Sequence, residues 1–397
     1  MTAETPEEPG GFDAGTPGRH CLDAMDRPDE GTLTDFEAAR ITVRLGAIAN
    51  NYKTVQRLAG TAAAAAVVKA DAYGTGLAPV ARQLVAQGCD TFFVARLEEG
   101  VALRPLAPGA RIFVLDGAQP DMVPALITHS LTPVLNSLAE VAAWSAAATA
   151  TRTRLDAAVH IDTGMNRLGM TTAELGTLAA EHGKRLEGLR LVLVMSHLAC
   201  SDDPASAMNR TQLDRFRTAL AMLPPAPASL AASGGVLLGK AYAFDMVRPG
   251  LALYGANPHP CEPSQFAVAV QVTSKILQVR PCVKGDTVGY GASFRAKRPT
   301  MLAVTGLGYA DGLLRALSNK GAAAVAGVRV PVAGRVSMDL VTLDVTDVPM
   351  PLVPGMDVEF VGDTVTLEEV AAAAGTISYE ILTSLSGRAS RRYEDMP

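Results

Sequence analysis

From about residue 36 to residue 256 the chain alternates short apolar runs with longer segments whose apolar positions recur at helical spacing. Solid runs of four to six such residues predict buried strands, and the periodic segments predict helices with one face turned inward. Residues 48–58 predict a helix, 65–69 a strand, 77–87 a helix, 91–95 a strand and 97–103 a helix. The same alternation gives strands at 111–115, 131–135, 155–160 and 189–195, with helices at 122–128, 138–148, 172–182 and 210–223. Residues 229–232 and 243–247 supply the last two strands of the series. Such a count fits a (β/α)8 TIM-type barrel, with a doubly wound open sheet as the competitor. The polar residues decide between them. Lys69, Asp162, His197, Ser233 and Arg248 all fall at or just after proposed strand C-termini, which a barrel gathers on one face and an open sheet spreads apart.

After about residue 270 the pattern changes to β-like runs broken by Gly, Pro and Asp, at 268–279, 287–293, 300–307, 328–332, 341–345 and 358–361. Short helices are expected at 367–374 and 379–385. The expected organisation is a flexible tail over 1–35, a barrel over 36–268, a mostly β C-terminal domain over 269–391 and a short tail over 392–397.

Composition narrows the class. Apolar residues make up 48% of the 397, ample for two cores. The net charge is −5 and no Lys/Arg block appears, so nucleic acid is not an expected partner. The five cysteines are scattered, with neither a disulfide framework nor a metal-binding spacing. No apolar run is long enough to span a bilayer. The acidic, Pro- and Gly-rich start lacks the basic and apolar parts of a secretory signal, so a cytoplasmic location is expected.

The chemistry concentrates in a few runs. In Val67-Val68-Lys69-Ala70-Asp71-Ala72-Tyr73-Gly74-Thr75-Gly76 a lone lysine ends an apolar strand. Desolvation there frees an amine to attack a carbonyl, the group pyridoxal phosphate requires; the alternative is a solvated surface lysine. His160-Ile161-Asp162-Thr163-Gly164-Met165-Asn166-Arg167 places an acid and a cation in one loop. It suits either a carboxylate-binding Arg167 or a structural turn capped by Asp162. His197 offers a ring face or a hydrogen bond, or is a satisfied structural group. Ser233-Gly234-Gly235 suits a phosphate and equally an ordinary turn. Arg248, before Pro249 and Gly250, either donates to a ring nitrogen or pairs with a carboxylate such as Asp245. In the second domain, Gly306-Leu307-Gly308-Tyr309-Ala310-Asp311-Gly312 and Gly334-Arg335-Val336-Ser337-Met338-Asp339 are polar, glycine-bounded turns.

Taken in order, the Lys69 run, 162–169, 247–255, 308–312, 334–339 and 375–380 closely resemble the alanine racemases over residues 36–391. That resemblance implies a pyridoxal 5'-phosphate enzyme that interconverts L- and D-alanine by two-base Cα proton transfer. Lys69 corresponds to the internal aldimine lysine and D-face base, and Tyr309 to the L-face base, supplied across a homodimer interface. Arg167 and the backbone of Met338 correspond to substrate-carboxylate contacts. Arg248 corresponds to the partner of the ring nitrogen, with His197 beside the ring. Tyr73, Ser233, Gly250, Leu251 and Tyr379 correspond to the phosphate-binding set. No metal is implied, and the partners are a small amino acid and a second subunit, with neither nucleic acid nor membrane. The sequence departs from the family at His160, where many members carry a carbamylated lysine, and at Thr75, where a histidine is common. Broad-spectrum amino-acid racemases share the same barrel and form the alternative reading. Related barrel decarboxylases pair the ring nitrogen with an acid, which Arg248 opposes.

Overall fold

The structure, a computed structural model, describes residues 37–395. The expected tail over 1–35 lies outside the described residues.

Seven strands form a parallel sheet in chain order, from Ala66–Val67 through Thr91–Val94, Arg111–Val114, Thr132–Leu135, Leu155–His160 and Leu189–Met195 to Ala228–Ser229. Most of their residues are buried, as expected where helices cover one face and barrel side chains fill the other. Met246–Val247 closes the circle. Arg248 N donates to Ala231 O on one side, while Ala63, Ala65 and Val67 donate to Asp245, Val247 and Pro249 on the other. Eight parallel positions therefore form a closed (β/α)8 barrel, so no edge remains open.

The helices follow the predicted spacing. Leu45–Ala59 buries Ala47, Ile48, Asn51, Tyr52 and Val55 on one stripe. Asn51 can be buried because its amide donates to Leu253 O and Ala267 O and accepts from Ala267 N. Thr171 and Glu174 start the Thr172–Arg185 helix with a reciprocal capping box.

The second sheet is built on one long strand, Val270–Cys282, which pairs antiparallel with Ala39–Arg44, Thr300–Thr305 and Asp357–Val361. That strand pairs with Ala39–Arg44 through Val270–Ser274 and with Thr300–Thr305 from Ile276 onward, where the register shifts between Ile276 and Gln278. Ala39–Arg44 lies within the span read as barrel, yet its hydrogen bonds go to this sheet. Its other edge is covered by Ser390–Glu394, running parallel to it, so three residues read as tail are strand. The short helices Leu367–Ala374 and Ser378–Ser384 then bring the β domain over the barrel mouth.

Candidate active site

The chain leaves the first barrel strand into an unusual turn. Ala70, Asp71, Ala72 and Tyr73 have φ between 52° and 57°, and Gly74 follows at 78°. Left-handed backbone costs about 1–2 kcal/mol for each residue with a Cβ, so this turn needs support from outside itself. Glu99 Oε1 accepts from Ala70 N at 2.6 Å, and Asp71 Oδ1 accepts from Leu77 N at 2.7 Å. The turn aims Lys69 into the barrel mouth. Burial, and then the charge of Arg167, push the Lys69 pKa below the ordinary lysine value, with Glu99 and Asp116 opposing.

Across the mouth, Arg248 is only 3% exposed. Its Nη1 donates to Ser229 Oγ at 2.5 Å and its Nη2 to Ser196 O at 2.6 Å. His197 Nδ1 lies 3.5 Å from Nη2, and the guanidinium carbon stands 5.8 Å from the centre of the Phe93 ring. These neutral acceptors answer the sequence question: Arg248 does not pair with Asp245, whose carboxylate accepts from Ala228 N instead. Burial lowers the Arg248 pKa to about 9, so it stays charged at neutral pH. Burial and then the Arg248 charge drive the His197 pKa well down, leaving a neutral ring.

Between them lies a set of donors. Ser233 Oγ, at the start of Ser233–Leu237, accepts from Gly250 N at 3.0 Å and Ala252 N at 3.2 Å. A Cβ on Gly250 would collide with the Tyr73 hydroxyl, so only glycine lets that tyrosine approach. Tyr73 stacks on Tyr254 at 4.7 Å and sits 5.9 Å from Tyr379. Burial raises the pKa of both Tyr73 and Tyr379, which keeps their hydroxyls protonated as donors.

The 162–169 loop is the turn capped by Asp162 that its sequence permits. Asp162 Oδ1 accepts from Gly164 N at 2.9 Å, Met165 N at 2.9 Å and Asn166 N at 3.1 Å, an Asx-type turn. That turn then presents Arg167 to the cavity. Beneath it, His160 is buried and its Nδ1 lies 2.9 Å from Asn136 Oδ1. The Asn136 amide nitrogen donates to Leu115 O and Val134 O, which fixes its oxygen toward the ring. His160 therefore donates from Nδ1 and keeps Nε2 as a bare acceptor. Burial first, then the charges of Arg248 and Arg167, lower its pKa to about 4.

Lys69, Tyr73, His197, Ser233, Arg248, Gly250, Leu251, Tyr379 and Arg167 thus line one cavity of about 650 Å³. Tyr309 and Met338 do not. They stand on the β domain, 42% and 52% exposed. Their two turns are zipped together, Tyr309 N to Ser337 O and Ala310 N to Met338 O, both at 3.0 Å. Behind them Asp311, 3% exposed, takes a bidentate pair from Arg388 at 2.7 and 2.9 Å, and Arg388 also holds Asp339. The supports Glu99, Asn136, Ser229 and Arg388 escaped the sequence reading. Glu99 alone left a signal there, as one of two acids in the first turn of a helix that directly follows a strand.

Known proteins match both parts of the chain. The family described as alanine racemase, N-terminal domain, matches residues 43–258, and that described as alanine racemase, C-terminal domain, matches 269–393. A catabolic alanine racemase of Agrobacterium fabrum is 46% identical over 358 residues, covering 90% of this chain and 92% of the relative. An alanine racemase of Methylobacterium nodulans is 45% identical over 363 residues, covering 91% of this chain and 98% of the relative. The crystal structure of alanine racemase from Bartonella henselae, with covalently bound pyridoxal phosphate, superposes with a TM-score of 0.86 at 37% identity. That superposition covers 90% of this chain and 99% of the Bartonella chain. With barrel, β domain and both family matches in register along nearly all described residues, the chain belongs to the alanine racemase family.

Proposed function

We propose that this chain interconverts L- and D-alanine with pyridoxal 5'-phosphate bound in the Lys69 cavity. The observation that carries the reading is the joint placement of a lysine of lowered pKa, a protonated buried arginine and a converging donor set in one cavity. The residues fit the cofactor. Gly250 leaves the space beside Tyr73 that a Cβ would fill, and hydroxyls and backbone amides gather there as a phosphate needs. When bound, the cofactor supplies a conjugated ring that accepts the charge left when a proton departs Cα.

The chain's own groups do the rest. Lys69 would hold the cofactor and, with substrate bound, would take or give the Cα proton on one face. Tyr309 of the partner subunit takes or gives it on the other, so inversion needs no rotation of the substrate. Arg167 receives the substrate carboxylate, with the backbone of Met338 of the partner subunit as a second contact. Arg248 would donate to the ring nitrogen and so favour its unprotonated form, which would weaken the ring as an electron sink and limit side reactions. His197 lines the cavity where it would lie against the ring. Tyr73, Ser233, Gly250, Leu251 and Tyr379 hold the phosphate. His160 stands where relatives carry a carbamylated lysine; being neutral, it cannot supply that lysine's negative charge, so Arg167 is held by another residue, water or a bound anion.

The active form in this reading is a homodimer with shared sites, and the location is the cytoplasm. The four described cysteines are all free thiols, in keeping with a reducing compartment, and among the described residues no helix is long and apolar enough to cross a membrane.

The test is incubation of cofactor-loaded protein with L-alanine in D2O. The expected product is D-alanine carrying deuterium at Cα. Exchange with retention of configuration would remove Tyr309 from its role, and absence of exchange with cofactor bound would remove alanine as the substrate. Other amino acids offered in the same assay define the breadth.

A further inference from the structure

The left-handed turn that carries Lys69 and Tyr73 is gripped from the far end of the chain. The guanidinium of Arg391 donates to Gly74 O from both Nε, at 3.1 Å, and Nη2, at 2.9 Å. The same group reaches Leu385 O at 3.2 Å and Ser386 O at 3.3 Å. Gly74 closes the strained turn, and Leu385 and Ser386 directly follow the Ser378–Ser384 helix that presents Tyr379. One planar cation therefore ties together the two segments that bring Tyr73 and Tyr379 to the cavity.

Two further contacts point the same way. Gly76, at φ 102°, lies so close to the Tyr393 hydroxyl that any Cβ there would collide with it. Gly74 itself packs against the Leu382 carbonyl, where a Cβ would come within 2.5 Å. The strand bearing Arg391 and Tyr393 is anchored in turn by parallel pairing with Ala39–Arg44, where Ile41 lies opposite Arg391.

We propose that Arg391 is a positioning residue for the cofactor-binding lysine, clamping the Lys69–Gly74 turn to the Tyr379 helix. It touches neither cofactor nor substrate. Its fork supplies several N–H donors in one plane, which a lysine ammonium cannot match against three carbonyls. This inference rests on the functional reading of Lys69 given above.

The test compares wild type, Arg391→Met and Arg391→Lys by hydrogen exchange of the holoenzyme and by titration of dialysed protein with pyridoxal phosphate. In Arg391→Met, amides of residues 70–77 exchange about tenfold faster, and cofactor affinity falls about tenfold, the loss of one charge-assisted hydrogen bond. Exchange in the barrel strands stays as in wild type. Arg391→Lys, the variant that guards against misfolding of the first, recovers part of the affinity but not the protection at 70–77. At saturating cofactor, kcat falls while the KM for alanine holds. Unchanged exchange at 70–77 in both variants overturns the proposal, as does a uniform acceleration across the whole β domain. The exchange measurement stands apart from the functional reading: wild-type protein that fails to bind pyridoxal phosphate sinks that reading, whereas wild-type binding with indifferent variants sinks the clamp.

Discussion

The barrel mouth and the Tyr309 ledge use the same construction to opposite ends. At the mouth, Arg248 is itself buried, and every neighbour that holds it belongs to the barrel interior. On the ledge the outward side chain is exposed and its support is buried: Tyr309 faces outward while Asp311 beneath it is 3% exposed and locked to Arg388. A mobile surface tyrosine would need no such mount. Rigidity without enclosure is the arrangement the proposed shared site requires, because its enclosing walls would come from the partner subunit. The mouth is finished by its own chain. In the proposed dimer the ledge is finished by another.

The strongest way to break that contrast is to separate the two halves genetically. Lys69→Ala and Tyr309→Phe each lose roughly 10²- to 10⁴-fold in turnover, the range for removing one acid–base group. Tyr309→Phe keeps its cofactor, because nothing at the mouth is disturbed. Mixed after reversible dissociation, the two inactive proteins form hybrid dimers with one intact site, restoring about a quarter of wild-type activity for random C2 pairing. No restoration would place Tyr309 and Lys69 of the same chain together, and the contrast would fall.

A smaller effect tests the mount itself. Asp311→Asn keeps the volume and loses the charge-assisted pair with Arg388. Urea unfolding should register a loss of about 1–3 kcal/mol, and kcat should fall roughly tenfold with cofactor affinity unchanged. If kcat holds while stability falls, Asp311 is a fold element only and Tyr309 needs no rigid base.

The sequence made the mouth more legible than its supports. Lys69 and Arg248 follow short apolar runs, and a barrel collects everything at that end, so position along the chain became position in space. Ala39–Arg44 also carried a signal, since Ala39, Ile41 and Val43 alternate inward, but it precedes the first helix and invites assignment to the barrel. Ser390–Glu394 carried none: Ser-Arg-Arg-Tyr-Glu becomes a strand because an open edge lies beside it, not because of its own pattern. Nothing in Ala70-Asp71-Ala72-Tyr73 announces a left-handed turn, for no glycine occurs until Gly74. That conformation is imposed by Glu99 and Arg391, residues 29 and 317 positions from their partners in the turn. Long-range supports of this kind leave no local periodicity.

The mildest probe asks whether the two regions respond differently to acid. His160 sits buried under the Arg167 loop, with its pKa lowered to about 4 from an ordinary 6.5. A depressed folded value means that the unfolded chain binds the proton more tightly. The stabilisation is complete above pH 6.5 and is lost as pH falls toward 4, by at most roughly 1.4 kcal/mol per pH unit. His160→Gln removes this titration while leaving an amide able to meet Asn136. His197 shifts in the same direction but is present in both proteins, so the difference between their slopes isolates His160. Unfolding midpoints measured between pH 7 and pH 4 should therefore fall more steeply for wild type than for His160→Gln. At neutral pH the same substitution should raise the KM for alanine several-fold through the Arg167 loop, which packs on His160 at Gly169 and Met170, and leave cofactor binding intact. Parallel slopes would mean that His160 is solvated enough to protonate freely, and the buried neutral acceptor beneath Arg167 would have to be abandoned.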